Sequence, residues 1–148
     1  LRGGVLMAQP LIMIVGPEGD TLHSLVSAIR AMFIWRNVYV DNLDGTLDEL
    51  VERCSKGVDI VVVMHAAKAG DERYDAPAIL RHLELALPGV ARILAIAGRR
   101  FGEGRSASWH GTILYELTDL SGGITAVFQR VIRQLPTIRA AAAGRGVA

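Results

Sequence analysis

Three arginines, Arg99, Arg100 and Arg105, fall among four glycines in "GRRFGEGRSASWHG", residues 98–111. Guanidinium groups grip phosphate or carboxylate through paired hydrogen bonds, and glycines let the backbone come close to such a ligand. A second glycine-containing stretch, "GPEGDT" at 16–21, runs directly into an apolar helical pattern. Gly16, Gly19 and Thr21 therefore stand where free backbone amides and the helix dipole favour an anion. Glu18 and Asp20 oppose that use, and a tight turn with Asp20 or Thr21 as helix cap is the competing reading. Neither stretch is a P-loop: Thr21, Leu22 and His23 replace the required Gly-Lys-Ser/Thr, and Gly98 lies one residue too far from Gly104, Arg105 and Ser106. His65 follows an apolar run and would face the loop of Glu18 and Asp20, the arrangement of an acid–base pair and so a catalytic candidate; the competing reading is a polar strand end without a role. His23, His65, His82 and His110 share no metal-ligand spacing, so no metal site is expected.

The 148 residues carry 16 basic and 15 acidic side chains, a formal net charge of +1, and 51% hydrophobic residues. That size and balance suit one globular domain, and no global field draws the chain to nucleic acid. No apolar run approaches the roughly 20 residues of a membrane helix, so no membrane partner is expected. The single cysteine, Cys54, rules out an internal disulfide and agrees with a reducing, cytoplasmic setting; on an apolar helical stripe it reads as a buried thiol.

The elements that must position these residues alternate. "LIMIV" at 11–15 is a strand buried on both faces, and Leu22, Leu25, Val26, Ile29, Met32 and Phe33 share one helical face. "NVYVDN" is a second strand with Val38 and Val40 inward. A helix capped by Thr46 and Glu49 follows, with Leu47, Leu50, Val51 and Cys54 as its stripe and Gly57 as its stop. "DIVVVM" at 59–64 is the central strand, and Asp75 caps a helix with Pro77 in its first turn. "ARILAIA" at 91–97 is the fourth strand and "TILYELT" at 112–118 the fifth. Ile124, Val127, Phe128, Val131, Ile132 and Leu135 form a last helix that Pro136 should end. Such alternation implies a three-layer α/β sandwich with a mainly parallel five-stranded sheet. Residues 98–111 show no helical stripe, so the fifth strand is expected either as an antiparallel edge strand after a long hairpin, the favoured option, or as a parallel strand after an irregular crossover. The expected organisation is residues 1–8 as a leader, 9–137 as a single domain, and 138–148 as a flexible tail.

"VGPEGDTLHSLVSAI" resembles the first loop and helix of flavodoxin-like proteins, whose Ser-x-x-Gly-Asn-Thr turn wraps a flavin phosphate. Gly19 and Thr21 match that turn; Gly16 stands in place of its serine and Asp20 in place of its asparagine. The stretch "DIVVVMHAAKAGDERYDAPAILRHL" is similar in layout to the third strand and following loop of flavin reductases. The resemblance implies flavin mononucleotide (FMN) as cofactor, with Tyr74 beside the isoalloxazine. Phosphoreceiver domains are also similar in overall fold, but His65 stands where their acceptor aspartate belongs.

An alternative makes residues 98–111 an arm. Arg-rich loops bearing Phe101 and Trp109 have the composition of interface anchors. The final third of the chain is similar to phage tail-completion proteins, which implies a homo-oligomeric assembly or structural subunit, located in a virion. The expected partner is thus either a small anionic ligand or a second copy of the chain.

Overall fold

The computed structural model describes residues 9–65, 75–96, 114–117 and 123–144. Strands β1 (Ile12–Val15), β2 (Val38–Asp41), β3 (Ile60–His65), β4 (Ala91–Ile96) and β5 (Leu114–Leu117) form one sheet in the order β2-β1-β3-β4-β5. Helices α1 (Asp20–Arg30), α2 (Leu47–Cys54), α3 (Ala76–Ala86) and α4 (Ile124–Gly144) follow β1, β2, β3 and β5. The order 2-1-3-4-5 belongs to the flavodoxin-like class of doubly wound sheets.

Side chains alternate across the strands, so each strand feeds two cores. Ile12, Ile14, Ile60, Val62, Met64 and Ile93 pack with Leu22, Leu25 and Ile29 of α1 and Phe128, Val131 and Leu135 of α4. Met13, Val15, Val61, Val63 and Leu94 pack with Leu50 and Cys54 of α2 and Ile79, Leu80 and Leu83 of α3. Phe33 meets Phe128 edge-on at 5.2 Å between ring centres, tying the chain after α1 to α4.

Local signals explain the α2 and α3 starts. Thr46 accepts from the Glu49 amide at 3.2 Å and Glu49 returns a bond to the Thr46 amide at 3.0 Å, the expected capping box. Asp75 accepts from the Ala78 amide at 3.3 Å. Gly57 follows α2 at φ 105°, a conformation that favours glycine.

Four expectations are corrected. β5 is parallel to β4, with Arg92 opposite Leu114 and Ala95 opposite Leu117, so the antiparallel edge strand does not form. Residues 97–113 exceed the dozen or so that a parallel crossover requires, so chain length permits the return. The cap of α1 is Gly19, with no side-chain cap bond, rather than Asp20 or Thr21. On β2 Val38 is buried but Val40 is exposed, because β2 is the sheet edge. Finally, α4 passes through Pro136 to Gly144, where the tail was expected from 138. Proline inside a helix costs about 3 kcal/mol. Burial of Leu135 and Ile138 offsets that cost, and the Arg139–Asp59 ion pair fixes where the following turn lies. Asp59 is itself positioned by the Leu11 amide at 2.9 Å.

Cys54 is buried in the second core, and burial, then the charge of Asp41, pushes its thiol from 9.0 to about 11 against the opposing pull of Arg53. It is a packing residue, not a nucleophile.

Two predictions test this packing. Ile138→Ala is expected to cost about 2–5 kcal/mol in urea denaturation, while Thr137→Ala, at an exposed site, changes stability by less than about 0.5 kcal/mol. Cys54 is expected to stay unreactive toward a thiol reagent at pH 8 until denaturant is added. Because its folded-state value is raised, its contribution to stability is full below 9.0 and lost as pH rises through about 11.

Candidate functional site

In an open α/β sheet, ligands approach the carboxyl ends of the strands, where the order reverses beside β1. At that edge the chain leaves β1 at Gly16, whose amide donates to the Asp41 carbonyl at 3.2 Å and whose carbonyl accepts from Asn42 Nδ2 at 3.0 Å. A Cβ added at Gly16 would lie 3.1 Å from both Leu22 Cδ1 and Met64 Cβ. The position is tight against the core, and a serine there would require Leu22 or Met64 to give by a few tenths of an ångström. Gly19 is the opposite case: its backbone is extended and a Cβ there would meet nothing within 4 Å.

The first bond of α1 runs from the His23 amide to the Gly19 carbonyl at 3.0 Å. The amides of Asp20, Thr21 and Leu22 precede it and receive no side-chain cap. Thr21 is exposed on this first turn. Glu18 is engaged by His23 Nε2 at 3.1 Å, an exposed pair of little energetic weight that nonetheless gives Glu18 a local partner. His65 ends β3 half-buried, opposite Ile96. Among the described residues no hydrogen bond joins it to Glu18 or Asp20.

The structure thus brings Gly16, Gly19, Thr21 and His65 to one sheet edge. Tyr74, Arg99, Arg100 and Arg105 lie outside the described residues, as does the whole 98–111 segment. Among the described residues no group of three or more His, Cys, Asp or Glu side chains could hold a metal ion, and no helix is long and apolar enough to cross a membrane.

One polar centre at this edge escaped the sequence reading. Asp41 is buried at the end of β2; Oδ1 accepts from the Leu43 amide at 2.7 Å and Oδ2 from the Arg53 guanidinium. Leu43 sits at φ 59°, a left-handed conformation that costs a non-glycine residue about 1–2 kcal/mol. The Asp41 carboxylate holds that turn and anchors the last turn of α2. The available signal was an acid closing an otherwise apolar strand, with an arginine 12 residues later. At the opposite, amino end of the sheet Arg92 is buried on β4 and donates from Nη1 to the Val90 carbonyl at 3.2 Å.

Two concavities lie away from Gly19 and Thr21. One of about 450 Å³ opens at the amino ends of β3 and β4, between Val58, Asp59, Leu87, Val90, Arg139 and Ala142. The other, about 360 Å³, flanks β2 and includes Tyr39 and Lys56.

No family model and no curated protein matches this chain. Among solved structures, the crystal structure of a response regulator receiver protein from Sinorhizobium medicae WSM419 is similar, with a TM-score of 0.53 and 17% identity over 81% of this chain and 92% of that one. Identity at this level speaks to fold alone, and it lends nothing to the likeness to phage tail-completion proteins. The chain has the α/β three-layer, flavodoxin-like fold with a parallel sheet.

Proposed function

We propose that this chain is a binding domain that holds the anionic end of a small ligand at the carboxyl edge of its sheet, with FMN as the sharpest version. The carrying observation is the start of α1: it lies at the switch point beside β1 and has no side-chain cap, whereas Thr46 and Asp75 cap α2 and α3. Open space around Gly19 lets a ligand approach the backbone. In this reading Arg99, Arg100 and Arg105 add cationic partners from the segment leading to β5, and Tyr74 offers an aromatic face. The Glu18–His23 contact moderates the local negative charge when the imidazole is protonated. A receiver-type phosphoacceptor role is not adopted, because His65 stands where the acceptor aspartate belongs.

A second reading is an assembly subunit. The observation that favours it is exposed apolar surface, among the described residues, at Ile34, Trp35, Tyr39 and Val40, on β2 and the turn before it.

The test is a visible absorption spectrum after mixing with FMN and gel filtration, followed by calorimetric titration with inorganic phosphate. A retained flavin band supports the sharp version; phosphate binding without flavin retention supports the anion site and removes FMN. Gly19→Asp places a carboxylate cap on the same amides. It is expected to weaken the bound anion about tenfold or more, the equivalent of about 1.4 kcal/mol, while stability changes by only a few tenths of a kcal/mol. A protein that retains no flavin and takes up no phosphate overturns the proposal.

A further inference from the structure

Four of the five large apolar side chains exposed among the described residues fall in one seven-residue stretch: Ile34 at 43%, Trp35 at 68%, Tyr39 at 46% and Val40 at 38%. Clustered exposure of this kind marks a contact surface more than scattered exposure does. The stretch forms a short 3₁₀ turn, Trp35–Asn37, and the edge strand β2.

The edge is partly closed to further strands. Asp41 directs its carbonyl toward β1, where it accepts from the Gly16 amide, so by strand alternation Val38 and Val40 direct theirs outward. The Val38 carbonyl is taken by Arg30 Nη2 at 3.3 Å, and the Val38 amide donates to the Trp35 carbonyl. Arg30 lies over the Trp35 ring at 5.1 Å and holds that cover in place. The outward ladder position left on β2 is Val40. A long sheet-to-sheet pairing is thereby disfavoured, while a short segment can still bond at one residue.

Beside Val40 lies the concavity of about 360 Å³, lined by Leu11, Met13, Tyr39 and Val58 together with Arg53 and Lys56. It exists because α2 is only 8 residues long and leaves Tyr39 uncovered on the sheet face. Its mostly apolar lining suits a large apolar side chain. Of the charges around it, Arg53 is paired with Asp41, and Asp59, beside Val58, with Arg139; Lys56 on the groove, Arg36 in the turn that opens β2 and Arg30 over Trp35 are cations with no carboxylate partner among the described residues. Asp41, the acid on β2, is buried and taken up by Arg53, and exposed Glu52 is not among the lining residues. On a chain of net charge +1 this is a local concentration of cations around an apolar groove.

We propose that the β2 edge, from Ile34 to Val40 with the groove beneath Tyr39, is a docking surface for a short extended segment of another protein in which large apolar side chains alternate with acidic ones. One apolar side chain fills the groove on the α2 face, the Val40 backbone bonds the segment, and the carboxylates, which alternation turns to the α1 face, lie toward Arg30 and Arg36. This surface is separate from the start of α1, so it stands or falls independently of the anion site.

The experiment is an NMR titration of the whole chain with a ten-residue peptide of alternating glutamate and leucine, and with its lysine-for-glutamate counterpart, both to millimolar concentration. The expected result is saturable shifts confined to residues 34–41 and 53–58 with the acidic peptide and none with the basic one. Tyr39→Ala and Arg36→Glu should each weaken binding about tenfold, and Gly19→Asp should leave it unchanged. Circular dichroism confirms that each variant is folded. Equal binding of both peptides, or no shifts with the acidic one, overturns the proposal. So does sedimentation showing a dimer that Tyr39→Ala dissolves, since the occupant would then be a second copy.

Discussion

Val61, Val62 and Val63 are excluded from water on both faces of the sheet, and that double burial governs where every polar group of this fold can go. A strand covered by helices on each side has no solvated face, so a charged side chain within it must bring its own partners or move to a strand end. The chain follows that constraint. Asp41 and His65 are terminal residues of β2 and β3, and Asp59 stands just ahead of β3. Arg92, the buried exception, uses the Val90 carbonyl. Chemistry is thereby pushed to the two edges of the sheet and to the loops that leave them.

Each edge has its own clasp. At the carboxyl edge Asp41 joins β2, the strained Leu43 turn and α2 through one carboxylate. At the amino edge Asp59 joins β1 through the Leu11 amide and α4 through Arg139. Removing one partner from a buried pair leaves an uncompensated charge, which is costlier than the pair is stabilising. Arg53 and Arg139 are each about half exposed, so both clasps serve position more than net stability.

Periodicity was legible wherever a helix or strand fills its own local pattern. The stripes of α1, α2 and α3, the Thr46–Glu49 box and the Asp75 cap are short-range facts and could be read along the chain. What stayed hidden depends on contacts far apart in sequence. The direction of β5 is set by its pairing with Arg92–Ala95, across residues 97–113 that carry no pattern. Pro136 reads locally as a stop, yet Arg139 reaches Asp59, 80 residues away, and Ile138 reaches the core, so the helix continues. Val40 alternates like an inward residue, but its exposure follows from β2 being an edge, which is a property of strand order. For the candidate site, Gly16, Gly19 and Thr21 were legible because loop and helix are contiguous. The Asp41–Arg53 pair was not, since a 12-residue gap carries no motif.

The helix α1 links the two surfaces assigned to this domain while keeping them apart. Its first turn presents uncapped amides beside Gly19, and its last residue, Arg30, covers the Val38 carbonyl and the Trp35 ring at the β2 edge. An 11-residue helix is about 16 Å long, about twice the screening length of roughly 8 Å at physiological salt. A charge placed at Gly19 is therefore largely invisible at Trp35. Coupling between the sites would have to travel mechanically, as a shift of α1 along the sheet. Leu22, Leu25, Val26 and Ile29 oppose such a shift because they are buried against β1 and β3. Two ligands bound at opposite ends of this helix should then bind additively, and cooperativity between them would require α1 to move against its own core.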